Sequence, residues 1–480
     1  MFSLGLDIGT SKVALALTEL STRRVVLTQS AAYPESATKV RGVQDSNALL
    51  ECTMQLVRNA LHGRSEAVSA ICVAGQMHGV VVFDSRGAPV TPLLNWQDER
   101  CNADPSFLPE LCTRTGHSLC AGFGCATLSW LFSGKDSDIA IPPVNEEKEE
   151  CTYRCGTIMD LLVARLCGAA AAPVMDETNA ASFGLYSPAA HDWDWAAVRA
   201  AGIPPAILPR VVAPGSVAGL LTGEAAADLL LSCPASSATS GIPVYAAAGD
   251  FQAALLATVS DPAADIAINI GTGGQLAAII DAIPCDPSSS SSSTSCALRV
   301  AGRPYEYRPF FGGKVAVTAA SLSGGSAWAW LVDLLRGWLG ALGVDRARDE
   351  LYPTLNALGL EALEAEGTGN AGLRVRPTFS GERHAPGLRG EITGITADNM
   401  GLGQMCAALA RGIVENLRDM VPKEVLCGKK RVVASGNAIR RSRMFQAVIQ
   451  RVFMLPLEVC EYVEEAAVGA SFIVSTGPNN

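Results

Sequence analysis

Two stretches of this chain read strand, glycine-bearing turn, strand, and they stand more than half the chain apart. In the first, the β-prone residues 4–8 and 13–18 flank Gly9-Thr10-Ser11-Lys12. In the second, residues 266–270 and 275–280 flank Gly271-Thr272-Gly273-Gly274. Runs of Leu, Ile and Val on either side of a short Gly-containing turn predict tight hairpins. A chain of 480 residues is also too long for one ordinary core,. Repetition of the same opening unit therefore predicts a duplicated architecture, with halves at residues 1–243 and 244–480 and a cleft between them. The alternative is coincidence, since a long chain of alternating strands and helices can contain two such hairpins. Helical periodicity over residues 49–61, 405–417 and 444–453 alternates with the strand runs, which favours mixed α/β layers over an all-α or all-β fold,.

Composition narrows the function classes. Hydrophobic residues make up 49% of the chain and charged residues 18%, so it can bury a large core,. A formal net charge of -10 argues against nucleic acid or an anionic membrane as partner, because both need clustered Lys and Arg,. Phosphate groups can still be held locally by backbone N–H groups, helix ends and bound cations. The first residues lack a basic segment followed by an apolar run, and the apolar stretches near 169–174 and 217–231 are too short to span a bilayer,. We expect a soluble, cytoplasmic protein. The 15 cysteines are scattered from Cys52 to Cys460, and the closest pair, Cys151 and Cys155, has no neighbouring His to complete a zinc site,. Reduced thiols are expected. Residues 134–150, ending in an acidic run, and 285–296, with a serine tract, read as surface insertions without chemistry,.

Three segments carry reactive groups. Asp7 ends a strand ahead of a turn that offers backbone N–H groups, two hydroxyls and the Lys12 ammonium, a set able to cradle phosphoryl oxygens while the carboxylate holds Mg²⁺ through water,. It is not a Walker A loop, and an ordinary hairpin would read similarly. Gly271-Thr272-Gly273 can play the same part from the other half. Asp250 stands alone in an apolar region, where it either caps the next helix or acts as a general base in a cleft,.

These pieces occur together with others in one order. LDIGTSK at 6–12, GQMHG at 75–79, NWQD at 95–98, GDFQAA at 249–254, NIGTGGQ at 269–275, SLSGG at 321–325, FSGER at 379–383 and ASGNA at 434–438 resemble the FGGY carbohydrate kinases over nearly the whole chain. The resemblance implies a two-domain actin/hexokinase-like, ribonuclease H-like α/β fold, with ATP and a small-molecule ketose meeting in an interdomain active-site cleft. It implies that Asp7 serves the Mg²⁺-phosphate site and that Gly9, Thr10, Ser11 and Lys12 form the first phosphate loop. Gly271, Thr272 and Gly273 would form the second loop, and Ser435, Gly436 and Asn437 would hold adenosine. By the same resemblance Asp250 is the catalytic base, while Gln76, Met77, His78, Asp98 and Gln252 face the sugar, with Trp96 a further candidate. GQMHGVV, NWQDERC, GFGCAT, residues 156–168 and GERH are similar to family members acting on a seven-carbon ketose rather than on xylulose or glycerol. Another ketose or polyol kinase, or a non-catalytic nucleotide-binding regulator of the same fold, are the competing expectations. Two departures stand out: Thr127 occupies a position where many members carry lysine, and the 434–437 segment is less glycine-rich than is usual.

Overall fold

In a computed structural model the chain forms two α/β halves, each built on its own large sheet. The structure describes residues 1–64, 67–84, 86–136, 138–141, 153–168, 173–229, 241–284, 298–300, 302–366 and 372–476. The expected insertion at 285–296, most of that at 134–150, and Cys151 lie outside the described residues.

Strands β1 (Phe2–Ile8), β2 (Lys12–Glu19), β3 (Arg24–Ala32), β4 (Val68–Gly75), β5 (Val217–Leu220), β6 (Pro243–Tyr245) and β7 (Ala248–Gly249) make the first sheet. Its order is β5-β6-β4-β1-β2-β3, with β7 also pairing β4. Strands β8 (Asp265–Ile270), β9 (Gly274–Ile280), β10 (Tyr305–Pro309), β11 (Val315–Ser321), β12 (Arg431–Ser435) and β13 (Leu457–Val459) make the second, in the order β10-β11-β9-β8-β12-β13. The two sheets repeat one plan. Each opens with an antiparallel hairpin (β1–β2, β8–β9), adds an antiparallel strand beyond it (β3, β11), and sets a parallel strand on the other side (β4, β12). Both predicted hairpins are present, and the repetition is architectural.

Alternation along β1 and β2 decides what covers each face. Leu4, Leu6, Ile8, Val13, Leu15 and Leu17 form a core with Leu49, Leu50 and Val57 of helix α1 (Ser46–Leu61). The opposite face carries Gly5, Ala14 and Ala16, and small side chains there admit a helix at close range. Ala14 and Ala16 pack with Ala467, Val468 and Phe472 of the helix formed by Glu465–Phe472. A Cβ on Gly5 would lie 2.2 Å from the Ala467 carbonyl oxygen.

The other helices that matter for the site are α2 (Gly124–Phe132), α3 (Ile158–Cys167), α4 (Glu177–Phe183), α5 (Asp250–Thr258), α6 (Gly325–Ala341), α7 (Arg348–Ala365), α8 (Leu402–Met420) and α9 (Arg443–Phe453), with Glu465–Phe472 as α10. Helix α10 sits between β1 and α5, where a Cβ on Gly469 would come within 1.7 Å of the Ala253 carbonyl oxygen. A shared cluster, including Cys72, Ala74, Ala248, Ala253, Ala267, Ala277, Phe310 and Ala470, joins the two halves. The expected boundary after residue 243 cuts through β6, and β7 also belongs to the first sheet. We propose that the division falls after Gly249, with α10 returning to the first half. Among the described residues no helix is long and apolar enough to cross a membrane.

Candidate functional site

Three strand ends converge at one point. Gly75, the last residue of β4, pairs with Ile8 on one side and Gly249 on the other, all in parallel register. The chain therefore leaves β1 into Gly9–Lys12, β4 into Gln76-Met77-His78, and β7 into Asp250, side by side. Carboxyl ends of parallel strands are where open α/β sheets bind ligands.

The first turn is braced by side chains from the neighbouring loops. Gly9 N–H donates to the Lys12 carbonyl at 3.0 Å. The Gln76 amide donates to the Gly9 carbonyl at 3.2 Å and to Gln44 Oε1 at 2.9 Å, and its Oε1 accepts from Thr10 Oγ1 at 3.4 Å. Trp96 Nε1 donates to Thr10 Oγ1 at 2.9 Å. Gln76, expected against the sugar, thus braces the Gly9–Lys12 turn. Lys12 extends to Glu464, just ahead of α10, at 2.6 Å, and Ser11 is exposed at the turn.

Asp7 Oδ1 is buried without a hydrogen-bond partner among the described residues. Burial, reinforced by the negative charges of Asp250 and Glu464 and only partly offset by Lys12, pushes its carboxyl up to about 7. With Lys12 drawn to Glu464 and only partly offsetting the local negative charge, this carboxylate fits a divalent cation. Among the described residues no group of three or more His, Cys, Asp or Glu forms a complete cage.

Asp250 is the first residue of α5, with Gly249 in the cap position, so it is not the cap. Its Oδ1 accepts only the adjacent Phe251 N–H, at 2.6 Å. Burial raises its carboxyl to about 6, against the lowering effects of that N–H and of the Arg308 guanidinium. The missing side chain at Gly249 makes room for Met77, whose sulfur would lie 2.7 Å from a Cβ there. Gln252 is fully buried beside the same glycine. Its amide donates to the Pro309 carbonyl at 3.4 Å, and its Oε1 has no partner among the described residues.

His78 sits at φ 77°, a left-handed conformation that costs on the order of 1–3 kcal/mol for a non-glycine residue,. Its ring is fixed by a 2.6 Å bond from Nδ1 to the Ser182 carbonyl and by stacking on Phe123 at 4.7 Å. A carbonyl can only accept, so Nδ1 carries the proton and Nε2 is left as an acceptor. Burial, with Arg308 and Arg299 nearby, lowers its pKa to about 4, which keeps the imidazole neutral. Asp98 is held differently: both its oxygens accept from Arg100, at 2.8 and 2.9 Å, and Arg100 also binds Asp136. The structure does not bring Asp98 to the cavities that His78 lines.

The second half contributes Arg299, Glu306 and Arg308, which the motifs did not reveal. Glu306 accepts from Arg308 Nε at 2.6 Å and from Arg299 Nε at 2.7 Å, and the two guanidinium groups bring its carboxyl down to about 2 despite burial. Arg308 reaches over the Phe251 ring at 4.9 Å and to the Met77 sulfur at 3.8 Å, while Arg299 covers Phe123 at 4.9 Å. A cavity of about 470 Å³ lined by His78, Trp96, Arg303, Arg308, Arg383 and His384 opens between the halves.

The second turn abuts the start of α6. Gly325 and Ser326 N–H groups donate to the Gly271 and Thr272 carbonyls at 2.8 and 2.9 Å. Gly324 allows this contact, since a Cβ there would fall 2.2 Å from Gly273. Beyond lies a cavity of about 1260 Å³ lined by Gly271, Thr272, Gly436 and Asn437 on one side and by Tyr352 and Asn356 of α7 on the other. Gly436 adopts φ 94° and passes so close to Ile270 that a Cβ would meet its carbonyl oxygen at 2.6 Å. Ser435 is buried behind this cavity, accepting from Asn269 Nδ2 at 2.7 Å, and Gly273 does not line it.

The N-terminal domain of the FGGY family of carbohydrate kinases matches residues 2–257. The chain belongs to that family. A human sedoheptulokinase is 30% identical over 98% of this chain and 97% of its own, and the mouse sedoheptulokinase is 32% identical with the same coverage. A xylulose kinase structure from Rhodospirillum rubrum matches with a TM-score of 0.78 at 23% identity, covering 99% of this chain and 89% of that one. An ADP-bound glycerol kinase from Plasmodium falciparum matches at 0.72 and 17%, over 98% and 88%. This FGGY kinase therefore has the expected two-domain actin/hexokinase-like fold, and it is a carbohydrate kinase.

Proposed function

We propose that this kinase uses ATP to phosphorylate the terminal hydroxyl of sedoheptulose, giving sedoheptulose 7-phosphate and ADP. The observation that carries the reading is Asp250, a carboxylate that follows Gly249, the glycine against which Met77 packs, and that lies within electrostatic reach of Asp7. Similarity to two sedoheptulokinases along almost the full chain supports the choice of sugar.

In this reading the substrate hydroxyl lies against Asp250. Its oxygen attacks the γ-phosphorus as its proton passes to the carboxylate, and the bond from the γ-phosphorus to the bridging oxygen of ADP breaks. Mg²⁺ held at Asp7 through water would balance charge on the phosphates. The turns Gly9–Lys12 and Gly271–Gly273 orient those phosphates from the two halves, and Gly436 with Asn437 borders the adenosine. Neutral His78 accepts a sugar hydroxyl at Nε2 over the apolar floor of Met77 and Phe123. Gln76, Asp98 and Gln252 act indirectly, by holding the loops that present these groups.

The test is ATP consumption by the purified protein with Mg²⁺ and sedoheptulose, xylulose, ribulose or glycerol, beside an Asp250→Ala variant. Turnover with sedoheptulose that the variant lacks is the expected result. Nucleotide binding without turnover on any sugar would overturn it in favour of a regulatory role.

A further inference from the structure

A second cavity, about 560 Å³, shares His78, Phe123, Arg299, Glu306 and Arg308 with the cleft cavity that Trp96 lines, but it has a different far wall. That wall is polar and comes from the first half: His117, just after the helix Phe107–Thr115, lies with Ser187 and Asp194. His117 Nε2 and Asp194 Oδ2 lie 3.0 Å apart, and their side chains stay 26% and 36% exposed. Asp194 Oδ1 is engaged separately by the Ala197 N–H at 3.0 Å. The pair is therefore positioned at one oxygen and still open to a ligand.

The cavity also reaches the reacting end of the site. Met77 and Thr178 both line it, and Thr178 Oγ1 accepts the Gly249 N–H at 2.9 Å, one residue from Asp250. Apolar side chains of Leu119, Leu185 and Tyr186 complete the lining. A polyol needs this combination: carbon edges against an apolar floor, and each hydroxyl matched by a fixed donor or acceptor. A sugar hydroxyl enclosed without such a partner would cost free energy.

We propose that this cavity is a subsite for the distal hydroxyls of the acceptor sugar, with His117 and Asp194 as its specificity-determining residues. It favours ketoses longer than five carbons. The proposal rests on the reading of the protein as a ketose kinase, and a pentulose anchored at Asp250 and His78 would not extend to the His117–Asp194 pair.

Calorimetric titration of the full chain with sedoheptulose, fructose and xylulose tests it, using wild type, His117→Ala and Asp194→Asn. The second variant keeps an oxygen for the Ala197 N–H, which protects the fold. The expected result is tighter binding of sedoheptulose than xylulose by wild type. Each variant should then weaken sedoheptulose about tenfold, the worth of roughly one hydrogen bond, and leave xylulose unchanged. Equal weakening of both sugars, no change in their ratio, or no sedoheptulose binding by wild type would each overturn the subsite. A chain-length preference that the variants abolish, in a protein that turns over no ketose, would sustain the subsite and sink the kinase reading of its substrate.

Discussion

In the proposed reaction Asp250 and His78 divide the work through opposite responses to burial. Burial raises the Asp250 carboxyl to about 6 and lowers the His78 imidazole to about 4. A base works only when unprotonated, so kcat/KM should fall as pH drops through about 6, a limb added to the loss of Mg²⁺ as Asp7 protonates near 7,. Asp250→Asn should remove that limb along with about 10²- to 10⁴-fold of kcat, read from initial rates across pH. His78 stays neutral through this range and should add no limb of its own. Thr127 is buried in α2 with a hydroxyl that has no partner among the described residues. Thr127→Val removes an unsatisfied group at constant shape, so thermal unfolding should show a gain of about 0–2 kcal/mol.

Helix ends were less legible than helix centres. Periodicity marked residues 49–61 and 444–453, but α1 and α9 start earlier because Asp45 and Ser442 accept the first free N–H groups,. Helix α7 escaped notice because Pro353 interrupts it, yet it supplies the far wall of the 1260 Å³ cavity. The hairpins were readable from their turns alone, whereas β10, the source of Glu306 and Arg308, follows the serine tract with no motif of its own. Two caps predict how stability depends on pH. Asp176 caps α4 and Asp160 belongs to the capping box of α3, and burial pushes them up to about 8 and about 7. The folded state therefore holds protons that the unfolded state releases near pH 4, and stability should fall as pH rises through 7 and 8. Asp176→Asn should flatten that fall in urea melts recorded at pH 5 and pH 8. Where α10 crosses α5, Gly469→Val has no space beside the Ala253 carbonyl and should cost about 1–3 kcal/mol or more in the same assay,.

On the scale of the whole molecule, the duplicated plan was legible because both halves open with the same turn chemistry. The boundary expected after residue 243 meets β6 and β7, which continue the first sheet after a long excursion, part of which packs into a separate core. Sequence order also concealed that α10 lies on β1 and β2. Strands β1 and β2 are made more than 400 residues before the helix that covers their small-residue face. During synthesis, at about 5–20 residues per second, that face waits tens of seconds for its cover. A chain stopped after Glu464 should accordingly emerge insoluble or bound to chaperones in a cell-free translation, while the full chain is released folded. Quality control of this kinase is thus written into α10: a ribosome that fails before residue 465 produces a protein whose strands β1 and β2 are still uncovered.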